Sequence, residues 1–162
     1  METARKILEE TGYTCVLRRG ETLYTATERG VKPLVRWLTE GVDATGFSAA
    51  DKVVGKATAY LYVLLGVKEV WAGVMSESAA QVLTRHGITA AQGKLVENII
   101  NRQGTGICPF EAAVLEIHTP EEALSAIRQK MRDRRGRSWR ELPTPSSRCR
   151  GRYPHGYARR HP

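Results

Sequence analysis

The run Val70-Trp71-Ala72-Gly73-Val74-Met75 carries no charge, and Ser76-Glu77-Ser78-Ala79 opens a helix directly after it. An uncharged run of strand length suits a strand covered on both faces, the situation of a parallel sheet between helices. Parallel strands need a crossover on either side. The chain supplies both: a helical pattern ending at Gly66 precedes the strand Val67–Met75. The helix that Ser76 caps follows it, with Ala79, Val82 and Leu83 inward and Gly87 as its stop.

The remaining elements fit round this unit. Ala4 to Thr11 reads as a short helix with Ile7 and Leu8 apolar and Gly12 as stop. Tyr13–Arg18 and Glu21–Thr27 alternate about Arg19-Gly20, a tight hairpin in which Val16 would face Leu23 and Cys15 would face Tyr24. Pro33 sits in the first turn of a helix that buries Leu34, Trp37 and Leu38 and stops at Gly41. Val42–Ala49 is irregular or a short strand. Asp51 starts the next helix, whose apolar face is Val54, Ala57, Leu61, Leu64 and Leu65. Ile88–Ala91 is a short strand, and Lys94–Asn101 fits helix and strand equally. Cys108-Pro109-Phe110-Glu111 and Thr119-Pro120-Glu121-Glu122 share one helix-start pattern, with a cap, then Pro, then Glu at the third position. The last helix runs to about Met131. A hairpin followed by alternating helices and strands implies an α/β three-layer sandwich with a mixed sheet.

Charge divides the chain in two. Residues 132–162 hold ten Arg and no Lys against Asp133 and Glu141, which accounts for the whole net charge of +8; residues 1–131 are balanced. Apolar periodicity also ends near Met131. The expected organisation is a folded domain over 1–131 and a disordered basic tail over 132–162. Cys15, Cys108 and Cys149 form no C-x-x-C and no even set, so neither a disulfide framework nor a zinc knuckle is indicated. The N-terminus lacks the apolar run of a signal peptide, and the longest apolar stretches are too short to span a bilayer. A cytoplasmic protein with no membrane partner is the expectation; the oligomeric state is open.

Gly55-Lys56-Ala57-Thr58-Ala59 and Ser76-Glu77-Ser78-Ala79 stand at two helix starts in this strand–helix grammar. The grammar resembles the core of a zinc nucleoside deaminase. That chemistry needs a His or Cys beside a Glu at the first start and Cys-x-x-Cys at the second. Here Lys56 stands for the first ligand, Thr58 for the acid/base Glu, and Ser76 and Ala79 for the two cysteines, so no zinc and no other cofactor is implied. The stretch from about Thr14 to Ile127 also resembles a prokaryotic family called domain of unknown function eighteen ninety-three. The carriers are Leu17-Arg18-Arg19-Gly20, Asp51 through Ala57, Asn101-Arg102 and Cys108-Pro109-Phe110-Glu111-Ala112-Ala113. The resemblance implies a cytidine-deaminase-like fold and no established activity.

Seven residues are candidates for a ligand site, and each has a plainer reading. Lys56 next to Gly55 offers an ammonium beside helix amides, which suits a phosphate or carboxylate; it is otherwise solvated or paired with Asp51. Asp51 is a pocket carboxylate or simply an N-cap acid. Ser76 lies at a strand end, where α/β sheets bind ligands, and is equally an N-cap. Cys108 takes the cap place usually held by Ser, Thr, Asp or Asn, which favours a nucleophilic thiol; free Cys is otherwise a small buried residue. Glu111 is the box acid of that helix. Asn101 and Arg102 lead into Gln103-Gly104-Thr105-Gly106 and would cradle an anion, or be solvated. His86 and His118 are isolated, so they read as surface or cap residues. Three functions follow: binding of a small anionic or nucleotide-like ligand, metal-independent catalysis through Cys108 or Lys56, and nucleic-acid binding through the tail.

Overall fold

A computed structural model describes residues 1–101 and 103–140, the last five as backbone alone. The elements are α1 (Glu2–Glu10), β1 (Cys15–Arg19), β2 (Thr22–Ala26), α2 (Lys32–Thr39), β3 (Ser48–Val54), α3 (Lys56–Leu65), β4 (Glu69–Ser76), α4 (Glu77–Arg85), β5 (Thr89–Val96), α5 (Pro109–Ala113) and α6 (Pro120–Arg140). The five strands form one mixed sheet in the order β2-β1-β3-β4-β5. β1 is antiparallel to both β2 and β3, whereas β3, β4 and β5 run parallel. The fold is α/β.

Register assigns the faces. Val16, Ala50, Trp71 and Ala91 are successive partners across four strands. Ala4 and Leu8 of α1 pack on that row, and Arg5 lies 4.6 Å above the Trp71 ring. Strand side chains alternate, so the neighbouring row of Cys15, Asp51 and Ala72 faces the other way, toward α3. α3 is apolar almost all round because it is central: Ala57 through Tyr62 and Leu65 are buried. Leu64, expected in its core face, is half-buried, as is Leu38 of α2.

Ala79, Val82 and Leu83 of α4 are buried as expected. Elsewhere the expectations are corrected. The hairpin loop is Gly20-Glu21, not Arg19-Gly20. Gly20 has φ +60 at the first loop position, where a type II′ turn places its glycine. Arg19 therefore pairs with Thr22 and Val16 with Thr25, a shift of two residues that keeps each side chain on its face. Asp51 does not start a helix: it lies inside β3, and α3 begins after Gly55. Ala-Ala-Asp-Lys carries no β signal of its own, and the strand forms because β1 and β4 pair on both sides of it. β5 takes up both the short strand expected at Ile88–Ala91 and the ambiguous Lys94 region.

Regular pairing is interrupted between Lys52 and Gly73 and between Gly73 and Gly93. A Cβ on Gly73 would stand 2.9 Å from the Lys52 carbonyl oxygen, and one on Gly93 2.9 Å from the Gly73 carbonyl oxygen. Glycine at both positions lets the backbones of three parallel strands approach closely there.

The chain divides into two compact units, Met1–Lys130 and Met131–Pro162. Thr119 caps α6, its hydroxyl accepting from the Glu122 N–H at 3.3 Å, and Ala123 and Ile127 are fully buried. The helix does not stop near Met131 as expected but runs to Arg140, which makes residues 132–140 helical. Charge repulsion does not end a helix by itself, and neither Pro nor a turn glycine stands at Met131. The remainder of the expected disordered segment, 141–162, lies outside the described residues. Among the described residues no helix is long and apolar enough to cross a membrane.

Candidate functional site

β3 and β4 end side by side, with Val54 paired to Met75, and each passes directly into a helix. The starts of α3 and α4 therefore lie together at the carboxyl edge of the parallel strands, the usual place for ligands in such sheets.

Gly55 caps α3 in an extended conformation and has no side chain to satisfy the first amides. A group distant in sequence does so instead. The Glu111 carboxylate accepts from the Lys56 N–H at 2.8 Å and the Ala57 N–H at 3.1 Å. The expected role of Glu111 as box acid for its own helix is replaced by capping of α3. Burial pushes its carboxyl up, while the Ala57 and Lys56 amides and the Lys56 charge pull it down. The approach depends on Gly55: a Cβ there would stand 2.2 Å from Glu111 Oε1. Two further bonds hold the same segment on α3. Lys56 Nζ donates to the Leu115 carbonyl at 3.0 Å, and the Tyr60 hydroxyl donates to the Ile117 carbonyl at 3.0 Å. Lys56 is thus engaged at both its amide and its ammonium, by Glu111 and Leu115 rather than by Asp51.

Asp51 belongs to a second cluster, sealed between sheet and α3. Cys15 is its partner across the β1–β3 ladder. The Tyr62 hydroxyl donates to Asp51 Oδ2 at 2.7 Å and lies 3.0 Å from Cys15 Sγ. With that proton given to Asp51, the Cys15 thiol is the donor to Tyr62. The Val53 N–H closes on Asp51 Oδ1 at 3.3 Å. Burial pushes the Asp51 carboxyl up to about 7, against the Tyr62, Val53, Lys52 and Cys15 hydrogen bonds that favour the anion. The Cys15 thiol rises well above its ordinary range through burial first and the Asp51 charge second. Tyr62 rises for the same two reasons.

The other expected residues separate. Ser76 is buried and caps α4, accepting from the Ala79 N–H at 3.2 Å, with Ser78 Oγ also at 3.2 Å. Cys108 is the N-cap of α5, half-buried, and its side chain makes no capping bond. Asn101 closes its own loop: Oδ1 accepts from the Thr105 N–H at 3.0 Å and Nδ2 donates to the Thr105 hydroxyl at 3.1 Å. Arg102 lies outside the described residues. His86 is the C-cap of α4. Sequence reasoning missed Tyr62 and Cys15. Their signal was the unusual one of a phenol inside an apolar helix, since a buried tyrosine needs a partner for its hydroxyl.

Among the described residues no three His, Cys, Asp or Glu side chains are grouped to hold a metal ion. No curated protein matches the chain. A crystal structure of a DUF1893 family protein from Thermotoga maritima is 27% identical, with a TM-score of 0.73. That match covers 80% of this chain and 88% of that one. The family model described as Domain of unknown function (DUF1893) matches residues 3–131. The chain therefore belongs to the DUF1893 family, as its motifs led us to expect.

Proposed function

We propose that the carboxyl edge of β3 and β4 binds a small anionic, nucleotide-like ligand on a cytidine-deaminase-like scaffold without that family's metal chemistry. One observation carries the reading: the first amides of α3 already grip a carboxylate, that of Glu111, at 2.8 and 3.1 Å. Two converging N–H groups at a helix start form a receptor for an anion, favoured also by the helix dipole. Lys56 adds an ammonium from the same turn, and Ser76 a hydroxyl from the adjacent helix start. A ligand phosphate or carboxylate would take the place of Glu111, and the segment from Cys108 to Ile117 would shift to admit it.

In this reading the positions of zinc ligands and acid/base group fall to Lys56, Thr58, Ser76 and Ala79. A cationic ammonium, two hydroxyls and a methyl do not fit zinc, which takes thiolate, imidazole or carboxylate. No step through a metal is derived.

The test is a thermal-shift panel of inorganic phosphate, pyrophosphate, nucleoside monophosphates and dicarboxylates on the full chain, with Glu111→Ala and Lys56→Ala beside it. A ligand at about 100 times its Kd stabilises by ~2.7 kcal/mol. Glu111→Ala should enlarge the ligand-induced rise by emptying the receptor, and Lys56→Ala should abolish it. If no anion shifts either the natural chain or Glu111→Ala, the proposal fails.

A further inference from the structure

We propose that the arginine-rich stretch opening at Arg132 is a nucleic-acid-binding arm that grips phosphates without reading sequence. Among the described residues of α6, Ala123 and Ile127 are the buried ones, yet the helix continues to Arg140. Arg132, Arg134 and Arg135 are exposed. At about 100° per residue Arg132 and Arg135 lie ~60° apart on one side, and Arg134 points ~100° from Arg135 and ~160° from Arg132, so the helix presents cations on two sides. The sequence places Arg137 and Arg140 further along the same helix.

The chemistry selects phosphate chains among polyanions. Every basic residue from 132 onward, the histidines aside, is arginine. Its planar guanidinium holds a phosphate through two parallel hydrogen bonds and keeps its charge throughout. Trp139, Tyr153 and Tyr157 are interleaved with the arginines, a composition that suits stacking on unpaired bases. A membrane-surface helix instead needs one broad apolar face, which the unbroken charged run Arg132-Asp133-Arg134-Arg135 denies. Residues 1–131 are charge-balanced, so the attraction is concentrated in this arm.

The test measures affinity of the full chain for short labelled random-sequence duplex DNA and single-stranded RNA across a salt series. The triple variant Arg132→Gln/Arg134→Gln/Arg135→Gln and its Arg→Lys counterpart are measured alongside. Scrambling the probe should leave affinity unchanged. Each arginine removed should flatten the log–log salt slope by about 0.9 on duplex and 0.7 on single strands, so the glutamine variant loses roughly 2 to 3 of slope. The lysine variant keeps its charge and should keep the slope. The proposal is overturned if the full chain shows no salt-dependent binding. It is equally overturned if the glutamine variant retains the natural slope and affinity, or if anionic lipid vesicles displace the nucleic acid.

Discussion

Tyr62 and Asp51 meet across the sheet–helix interface with 2.7 Å between the phenol oxygen and Oδ2. The pair explains how an acidic residue is tolerated inside β3. Its carboxyl is buried, but the phenol, the Val53 amide and, through the phenol, the Cys15 thiol form a complete chain of donors. Such a network specifies where α3 sits on the sheet, because a slip of one turn would orphan three polar groups at once.

The Asp51 carboxyl sets a pH dependence with a definite sign. It is pushed up to about 7 from its ordinary 3.8, so the folded chain holds a proton that the unfolded chain has released. Stability then falls as pH rises between about 4 and about 7 and levels off above. A shift of this size corresponds to roughly 4 kcal/mol. Glu111 is raised too and acts in the same direction, so the comparison must be with Asp51→Asn, which removes one contribution and keeps the other. Denaturant titrations at pH 5 and pH 8 should show a larger loss in the natural chain than in Asp51→Asn. Parallel profiles would sink the assignment.

Cys15 and Cys108 should differ in alkylation rate. Cys15 is 2% exposed and bonded to Tyr62, and burial with the Asp51 charge keeps its thiolate scarce. Cys108 is half-buried and its thiol caps nothing. Mass spectrometry after brief iodoacetamide treatment of folded protein should find Cys108 modified well before Cys15. Equal rates would mean that the β1–β3–α3 interface opens as readily as the surface.

The sheet unit was legible in the sequence because its signals are local. The uncharged run of β4, the Ser76 cap and the Thr119 cap each announce themselves within a few residues. The Asp51 error has the opposite origin. A strand reading Ala-Ala-Asp-Lys is specified by its neighbours on both sides, and no local rule distinguishes its Asp from a cap. The site was half legible for the same reason. Gly55 and Lys56 mark a helix start, but the bond between that start and Glu111 spans 55 residues of sequence. The capping-box pattern pointed Glu111 at its own helix, and tertiary docking won.

Gly73 and Gly93 should resist substitution for a reason unrelated to backbone conformation. A Cβ at either would meet a backbone carbonyl oxygen of the neighbouring strand at 2.9 Å. Relief requires a strand to move, so alanine should cost about 1 to 3 kcal/mol, the range for overpacking. The cost should be larger at Gly73, whose strand is held by β3 and β5, than at Gly93 on the edge strand. Denaturant midpoints of the two variants test the order. If both are neutral, the close approach of these strands does not depend on glycine.

Gly55 and Glu111 should be coupled in a double-mutant cycle. Gly55 has φ −100, which any residue adopts, so Gly55→Ala meets no backbone penalty of its own. Its cost should arise from the Glu111 carboxylate, which a Cβ would approach to 2.2 Å and drive off the Lys56 and Ala57 amides. Glu111→Ala removes the same cap directly. Each single change should therefore cost about 1 to 2 kcal/mol, the usual range for a lost N-terminal cap. In the double variant the clash has no object, and alanine in place of glycine cannot remove the cap a second time. The combined loss should fall short of the sum by about 1 kcal/mol, within the range seen for contacting residues. The measurement is chemical denaturation of the four chains at one common pH. Additive losses would show that Gly55 serves something other than the approach of Glu111, and the helix start would then need another account of its glycine.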